Sequence, residues 1–165
     1  MPNNAAAVIS TLQERGWYLA VAESLTGGLL AAEFVSVPGA SKVLLGSVTA
    51  YQNSIKQNLL AVSAELLNTH GAVSAQVAEA MAVGVRAELA QAAGLSTDRV
   101  IGVSTTGVAG PDADGDKPIG LVYLGLVLPG ESAVSLELRL SGSRQEIRAA
   151  AVQSAVSELL EQIGN

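Results

Sequence analysis

The sequence predicts an α/β protein, a three-layer α/β/α sandwich around a mostly parallel mixed sheet that contains one antiparallel strand. Two observations carry this prediction. Short apolar segments bounded by glycine and polar residues alternate with segments of helical periodicity, as in strand–helix–strand units. Two strand-like segments follow each other directly around Pro129-Gly130, which indicates a late hairpin. A length of 165 residues suits one domain, which we expect to span residues 1–165.

The first half of the chain contains two predicted strands and four predicted helices. NNAAAVISTLQER predicts an opening helix, and the apolar segment WYLAVAE predicts a buried strand. GGLLAAEFVSV predicts a helix that ends at Pro38-Gly39, and VLLGSVTAY predicts the second strand. SIKQNLL and SAELLNTHG predict two short helices, the latter with Ser63 as its N-cap.

The second half begins with a long helix, AQVAEAMAVGVRAELAQAAG, which Ser74 is predicted to cap. RVIGVST predicts the third strand, and IGLVYLGLVLPG and SAVSLELRL predict the hairpin, whose alternating second strand should have one solvated face. SGSRQEIRAAAVQSAVSELLEQIG predicts a closing helix with Ser143 and Glu146 as a capping box. Apolar residues that recur every four positions predict the buried face of the long helix; they are Val77, Met81, Val85 and Leu89.

Composition excludes several functional classes. The net charge of −6, with scattered basic residues, gives no footprint for nucleic-acid binding. The absence of cysteine excludes disulfides, thiolate zinc sites and a cysteine nucleophile. No apolar run reaches about 18 residues, and the N-terminus lacks the basic start of a signal peptide. We therefore expect no nucleic-acid or membrane partner, no metal or other cofactor, and a cytoplasmic location.

Polar residues follow each predicted parallel strand, in the ranges 24–28, 49–56 and 105–117. Ligands of open α/β sheets bind beyond the carboxyl ends of such strands, so these three junctions form the predicted site. Lys56, next to an apolar strand end, could lose hydration and become a base for Ser24, with Tyr51 relaying or orienting the proton. Spacing alone favours another interpretation, in which Ser24 is a helix cap, Tyr51 a half-buried aromatic residue and Lys56 a solvated lysine.

Other polar residues near these junctions have open roles. Glu23 could orient Lys56, bind a ligand hydroxyl, pair with a cation or complement a helix dipole. The segment TGVAGPDADGDKP is long and glycine-rich for a loop, which favours ligand contact. Its aspartates lack the spacing of a calcium loop and are interpreted as a solvated acidic turn. Arg144 and Arg148, in the first turns of the last helix, could bind a phosphate or pair with Glu146 or a neighbouring acid.

Seven stretches together resemble the CinA C-terminal domain family. They are AESLTGG, VPGAS, AYQNSIK, HGAVS, TGVAGP, KPIGLVY and SGSRQEIR, in this order. The resemblance covers nearly the whole chain and implies a three-layer α/β/α fold in a single-domain form. It also implies the activity of a nicotinamide-nucleotide amidase, which hydrolyses the carboxamide of nicotinamide mononucleotide to the acid and ammonia in pyridine nucleotide salvage. Leu25 departs from the pattern, since many members have cysteine there.

The resemblance carries residue roles onto this chain. The family's serine, tyrosine and lysine fall on Ser24, Tyr51 and Lys56, which are the expected catalytic residues. Main-chain N–H groups around Thr26 to Gly28, or in the 106–110 loop, would stabilise the oxyanion. A non-catalytic nucleotide-binding or regulatory module is the rival interpretation, and a homo-oligomer is left open. The expected substrate-binding residues are Glu23, Thr26, Gly27, Gly28, Asn53, Thr106, Gly107, Ala109, Gly110 and Arg144.

Overall fold

The computed structural model describes residues 4–164 and confirms the α/β class. The strands are β1 Tyr18–Glu23, β2 Leu44–Thr49, β3 Val100–Gly107, β4 Leu121–Val127 and β5 Val134–Arg139. They form a five-stranded sheet with the order β2-β1-β3-β4-β5, in which β4 runs antiparallel to both of its neighbours. The other two neighbouring pairs, β1 with β2 and β1 with β3, are parallel.

Helices cover both faces of the sheet, as the sequence predicts. Side chains of β1 alternate between the faces: Leu19 and Val21 join the core under α1, α2 and α6, whereas Ala20 and Ala22 join the core under α3, α4 and α5. Two short 3-10 helices, Ala40–Lys42 and Thr97–Arg99, complete the connections. The α-helices are α1 Asn4–Arg15, α2 Leu29–Val35, α3 Asn53–Leu60, α4 Ala64–His70, α5 Ala75–Ala93 and α6 Arg144–Gly164.

The predicted helix caps are present. The hydroxyl oxygens of Ser63 and Ser74 accept hydrogen bonds from Leu66 N–H and Val77 N–H, at 3.0 and 3.3 Å. Ser143 and Glu146 form the capping box: Ser143 N–H donates to the Glu146 carboxylate at 2.7 Å, and Glu146 N–H donates to the Ser143 hydroxyl at 3.3 Å. Local sequence therefore sets where α4, α5 and α6 begin.

Two details differ from the predictions. The apolar row of β5 is only partly covered, since Leu138 and Leu140 pack on the core while Val134 and Leu136 remain exposed at this sheet edge. Leu89, expected on the buried face of α5, is half-buried and packs at the margin of the core, near Gly46 of β2. None of the helices in the described part of the chain has the length and apolar character to cross a bilayer.

Helix α5 lies unusually close to the sheet and to α3. Cβ atoms added to Gly102 of β3 and Gly125 of β4 would each lie 2.1 Å from a carbonyl oxygen of α5. Gly84 of α5 lies against the main chain of Leu60, the last residue of α3. These glycines allow the backbones to approach, and α3 is thereby held against the sheet edge where its lysine, Lys56, points inward.

Replacing Gly84 by alanine is expected to lower the free energy of unfolding by about 2 to 3 kcal/mol, despite the better helix propensity of alanine. The added Cβ would lie 1.9 Å from the carbonyl oxygen of Leu60, so α3 and α5 must separate. Urea unfolding measures the change. Gly164→Ala is the matched control, because a Cβ there meets nothing within 4 Å. Equal stability of Gly84→Ala and wild type would contradict this account of α3 packing.

Candidate active site

The carboxyl ends of the three parallel strands meet at one edge of the sheet. Glu23, the last residue of β1, pairs with Thr49 of β2 and with Thr105 of β3, so the segments that follow these strands begin at the same level. A cavity of about 240 Å³ opens there. It is lined by Ser24, Leu25, Tyr51, Asn53, Lys56, Ala72, Val73, Thr106, Gly107, Ala109, Asp114 and Arg144.

Lys56 is buried at the base of this cavity, with 1% of its surface exposed. Its Nζ donates to the carbonyl oxygens of Ala50 and Tyr51, at 2.7 and 3.2 Å, and to the hydroxyl of Ser24 at 3.3 Å. Burial removes water from the ammonium and lowers the pKa of Lys56 to about 8. The interpretation of Lys56 as a solvated surface lysine is therefore wrong.

The three partners of Lys56 determine where its lone pair points. A neutral amine keeps two N–H bonds, which match the two carbonyl oxygens of Ala50 and Tyr51. The lone pair of the amine then faces the Ser24 oxygen, so the Ser24 hydroxyl can donate a hydrogen bond to the neutral amine. The arrangement is that of a serine hydroxyl beside a base of suitable pKa.

Glu23 caps helix α2. The sequence left four roles open for this residue, and the structure supports the one in which it complements a helix dipole. Its side chain is fully buried and its two carboxylate oxygens accept from Gly28, Leu30 and Ala31 N–H, at 2.9 to 3.1 Å. Ser24 makes no such bond, so its interpretation as the helix cap is wrong. The Glu23 carboxylate satisfies the N-terminus of α2, so the Ser24 hydroxyl is available to Lys56. Glu23 does not line the cavity, contrary to its assignment as a substrate-binding residue.

The turn after Ser24 contains both occupied and unpaired N–H groups. Gly27 N–H donates to the Ser24 carbonyl at 3.1 Å, and Gly28 N–H donates to Glu23. Neither glycine lines the cavity, so the expectation that they bind substrate through these groups does not fit the geometry. The N–H groups of Leu25 and Thr26 have no hydrogen-bond acceptor among the described residues.

Thr26 and Thr105 form a buried pair beneath the turn, with their hydroxyl oxygens 2.8 Å apart. The Thr26 side chain is fully buried, so it supports the turn and cannot reach a ligand, contrary to its assignment as a substrate-binding residue. Thr106 does line the cavity, but its hydroxyl donates to the carbonyl of Ala72 at 2.7 Å. These threonines connect the turn, β3 and the segment before α5.

Arg144 and Tyr51 form one rim of the cavity. The Arg144 guanidinium donates to the carbonyl of Gly110 and, at 3.2 Å, to the phenol oxygen of Tyr51, whose side chain is 59% exposed. No hydrogen bond joins this phenol to Ser24 or Lys56; Tyr51 reaches Lys56 through its main-chain carbonyl instead. Glu146 binds Ser143, so the predicted alternative of an ion pair with the arginines is wrong.

The other loop residues divide between lining the cavity and supporting it. Asn53, at the start of α3, and Ala109 line the cavity. Gly107 also lines it, although a Cβ there would lie 2.7 Å from Val122 Cγ2, so packing against β4 by itself requires glycine. Gly110 has a positive φ of 88° and gives its carbonyl to Arg144, but does not line the cavity.

Two residues of the site were missed by sequence reasoning. Arg148, interpreted only as a phosphate ligand or ion-pair partner, donates from α6 to the carbonyls of Leu25 and Thr26, at 2.8 and 3.1 Å, and so holds the turn that carries Ser24. The sequence offered one indication of this role, because Arg148 follows Arg144 by one helical turn and therefore lies on the same face of α6. Asp114, interpreted as part of a solvated turn, lines the cavity.

Across residues 4–164, no three His, Cys, Asp or Glu side chains form a group that could hold a metal ion.

Comparisons with known proteins agree on one family. Residues 2–163 match the family model described as the CinA C-terminal domain. A CinA-like protein of Dictyoglomus turgidum is 48% identical over 142 residues, which cover 86% of this chain and 32% of that protein. A CinA-like protein of Frankia casuarinae is 44% identical over 149 residues, which cover 90% of this chain and 32% of that protein. The chain thus spans about a third of the length of these curated relatives.

Solved structures give the same result. The competence damage-inducible protein A of Klebsiella pneumoniae superposes with a TM-score of 0.88 at 30% identity, covering 98% of this chain and 96% of that one. The competence/damage inducible protein CihA of Agrobacterium tumefaciens superposes with a TM-score of 0.85 at 31% identity, covering 100% and 98% of the two chains.

Glu23→Gln is expected to lower the free energy of unfolding by about 2 to 4 kcal/mol, because an amide NH2 would face main-chain N–H donors where the carboxylate now accepts. Urea unfolding monitored by circular dichroism measures the loss. The control is Glu65→Gln, an exposed carboxylate in the first turn of α4, for which a change within about 0.5 kcal/mol is expected. Equal effects of the two substitutions would show that Glu23 does not hold the turn.

Proposed function

This chain belongs to the CinA C-terminal domain family, and on that premise we propose that it is a nicotinamide-nucleotide amidase. It hydrolyses the carboxamide of nicotinamide mononucleotide to nicotinate mononucleotide and ammonia, in pyridine nucleotide salvage in the cytoplasm. The observation that carries the proposal is the buried contact between Lys56 Nζ and Ser24 Oγ at 3.3 Å. A module that only bound nucleotides would not need a desolvated lysine beside a serine hydroxyl.

The first half of the reaction forms an acyl-enzyme. Neutral Lys56 accepts the Ser24 proton while its two N–H groups stay on the carbonyls of Ala50 and Tyr51. Ser24 Oγ bonds to the carboxamide carbon, and the carbonyl oxygen takes the negative charge. The C–N bond then breaks, and the leaving nitrogen takes the proton from Lys56 and departs as ammonia. Lys56 returns this proton itself, because no hydrogen bond joins the Tyr51 phenol to Lys56 or to Ser24.

The second half releases the acid. Water adds to the ester carbon while Lys56 accepts its proton, and the proton returns to Ser24 Oγ as the acyl bond breaks. The unpaired N–H group of Leu25 is the donor that we assign to the oxyanion in both halves, since it follows the nucleophile directly and Leu25 lines the cavity. A donor of this kind is worth about 3 kcal/mol of transition-state stabilisation. Arg148 holds the turn that follows Ser24 in place through the carbonyl groups of Leu25 and Thr26.

The rim of the cavity suits the nucleotide part of the substrate. Arg144 supplies a cation that no carboxylate neutralises among the described residues, and a guanidinium binds phosphate well. Asn53 and Tyr51 add polar groups beside it. The phosphate therefore lies at the rim, while the carboxamide reaches down to Ser24.

Ser24→Ala is expected to abolish ammonia release from nicotinamide mononucleotide. The free energy of unfolding should change by no more than about 1 to 2 kcal/mol, because one hydrogen bond, that to Lys56, is lost. Coupled ammonia detection and thermal unfolding measure the two effects. Ser54→Ala, an exposed position in α3 outside the cavity, is the control and should retain wild-type turnover. Wild-type turnover in Ser24→Ala would exclude Ser24 as the nucleophile. Nucleotide binding without turnover in the wild type would favour the rival binding module.

Lys56→Arg is expected to reduce kcat/KM by about 100- to 10,000-fold, because a guanidinium stays protonated and cannot accept the Ser24 proton. In the wild type, the amine is neutral above its pKa, so kcat/KM should rise with pH and level off above about 8. The variant should lack this rise. The measurement is kcat/KM between pH 6 and 10. A variant that retained more than about a tenth of the activity would make Lys56 an electrostatic anchor and place the base elsewhere.

A further inference from the structure

Asp114 is the one acidic residue among the described residues that line the cavity. The two cationic side chains of the lining, Lys56 and Arg144, come from α3 and α6, whereas Asp114 comes from the loop between β3 and β4. Lys56 and Arg144 have roles in the proposed reaction, whereas Asp114 has none. A carboxylate facing a site for a phosphate-bearing ligand would weaken binding unless the ligand also carries positive charge.

A tight turn fixes the position of Asp114. Asp114 and Lys117 exchange two main-chain hydrogen bonds, with N–O distances of 3.1 and 2.9 Å, around Gly115, whose φ is +58°. The Asp114 carboxylate has no hydrogen bond or ion pair with any described residue. The pKa of Glu137 in β5 is lowered chiefly by the hydrogen bond from Tyr123, and the charge of Lys117 adds to this effect. The turn thus presents an unneutralised carboxylate to the cavity.

We propose that Asp114 is a specificity-determining residue, which favours amides whose ring carries a positive charge over amides with a neutral ring. This inference rests on the proposed function and names the feature of the substrate that this loop recognises. An N-ribosylated pyridinium has such a charge next to its carboxamide, and its phosphate matches Arg144. The exposed position of Asp114 means that solvent and salt screen the attraction, so a moderate effect that fades with ionic strength is expected.

The test compares two ligands that differ in ring charge. Nicotinamide mononucleotide has a cationic pyridinium ring, and its reduced form has a neutral dihydropyridine ring with the same carboxamide, ribose and phosphate. Wild type and Asp114→Asn are measured at low salt for kcat and KM with the oxidised form, and for the inhibition constant of the reduced form. Asp112→Asn and Asp116→Asn are the controls, because these exposed aspartates of the same loop do not line the cavity.

Asp114→Asn is expected to raise KM for the cationic ligand by about threefold to tenfold, with kcat within about twofold and the inhibition constant of the neutral ligand unchanged. The controls should match wild type, and the KM difference should shrink at 0.5 M salt, the direction that screening requires. Equal weakening of both ligands would overturn the proposal and assign Asp114 to the ribose hydroxyls. Unchanged binding of both would overturn it in favour of a solvated turn.

Failure of the proposed function would be recognised separately, by the absence of ammonia release from wild type. The same four proteins would then be titrated with the two ligands by calorimetry. A loss of affinity in Asp114→Asn confined to the cationic ligand would support the charge selection even then. Absence of that loss, or of any binding to wild type, would overturn it.

Discussion

The site depends on one buried interaction, the contact of the Glu23 carboxylate with the first N–H groups of α2. A buried charge is costly unless hydrogen bonds compensate it, and here three N–H donors and the helix dipole do so. The contact ties the end of β1 to the start of α2 and leaves the intervening turn little freedom. That turn then supplies the Ser24 hydroxyl and the unpaired N–H group of Leu25 at one place.

The second constraint is the burial of Lys56. The glycine contacts of α5 hold α3 against the sheet, so the lysine side chain extends under the turn instead of into water. Desolvation lowers its pKa to about 8, and two main-chain carbonyls orient its nitrogen toward Ser24. Close backbone packing far from the cavity therefore has a chemical consequence, since it makes a lysine a usable base near neutral pH.

Charge is distributed around the cavity from three separate parts of the chain. Helix α6 contributes Arg144 at the rim and Arg148 beneath the turn, and the loop after β3 contributes Asp114. Both arginines support the site by binding main-chain carbonyl groups, and Arg144 also lines the cavity. A ligand with separated positive and negative charges suits this distribution better than a simple anion, even though the chain as a whole carries a net charge of −6.

The sequence by itself determined the order and type of the helices and strands, because apolar periodicity and caps such as Ser63, Ser74 and Ser143 act within a few residues. It also identified Ser24 and Lys56 as candidate catalytic residues, since polar residues that follow parallel strands meet at one edge of the sheet. Only the tertiary structure decided that Glu23 caps α2, that Lys56 is desolvated, and that Arg148 supports a turn 122 residues away. These roles depend on burial and on distances between remote segments, which no local pattern encodes.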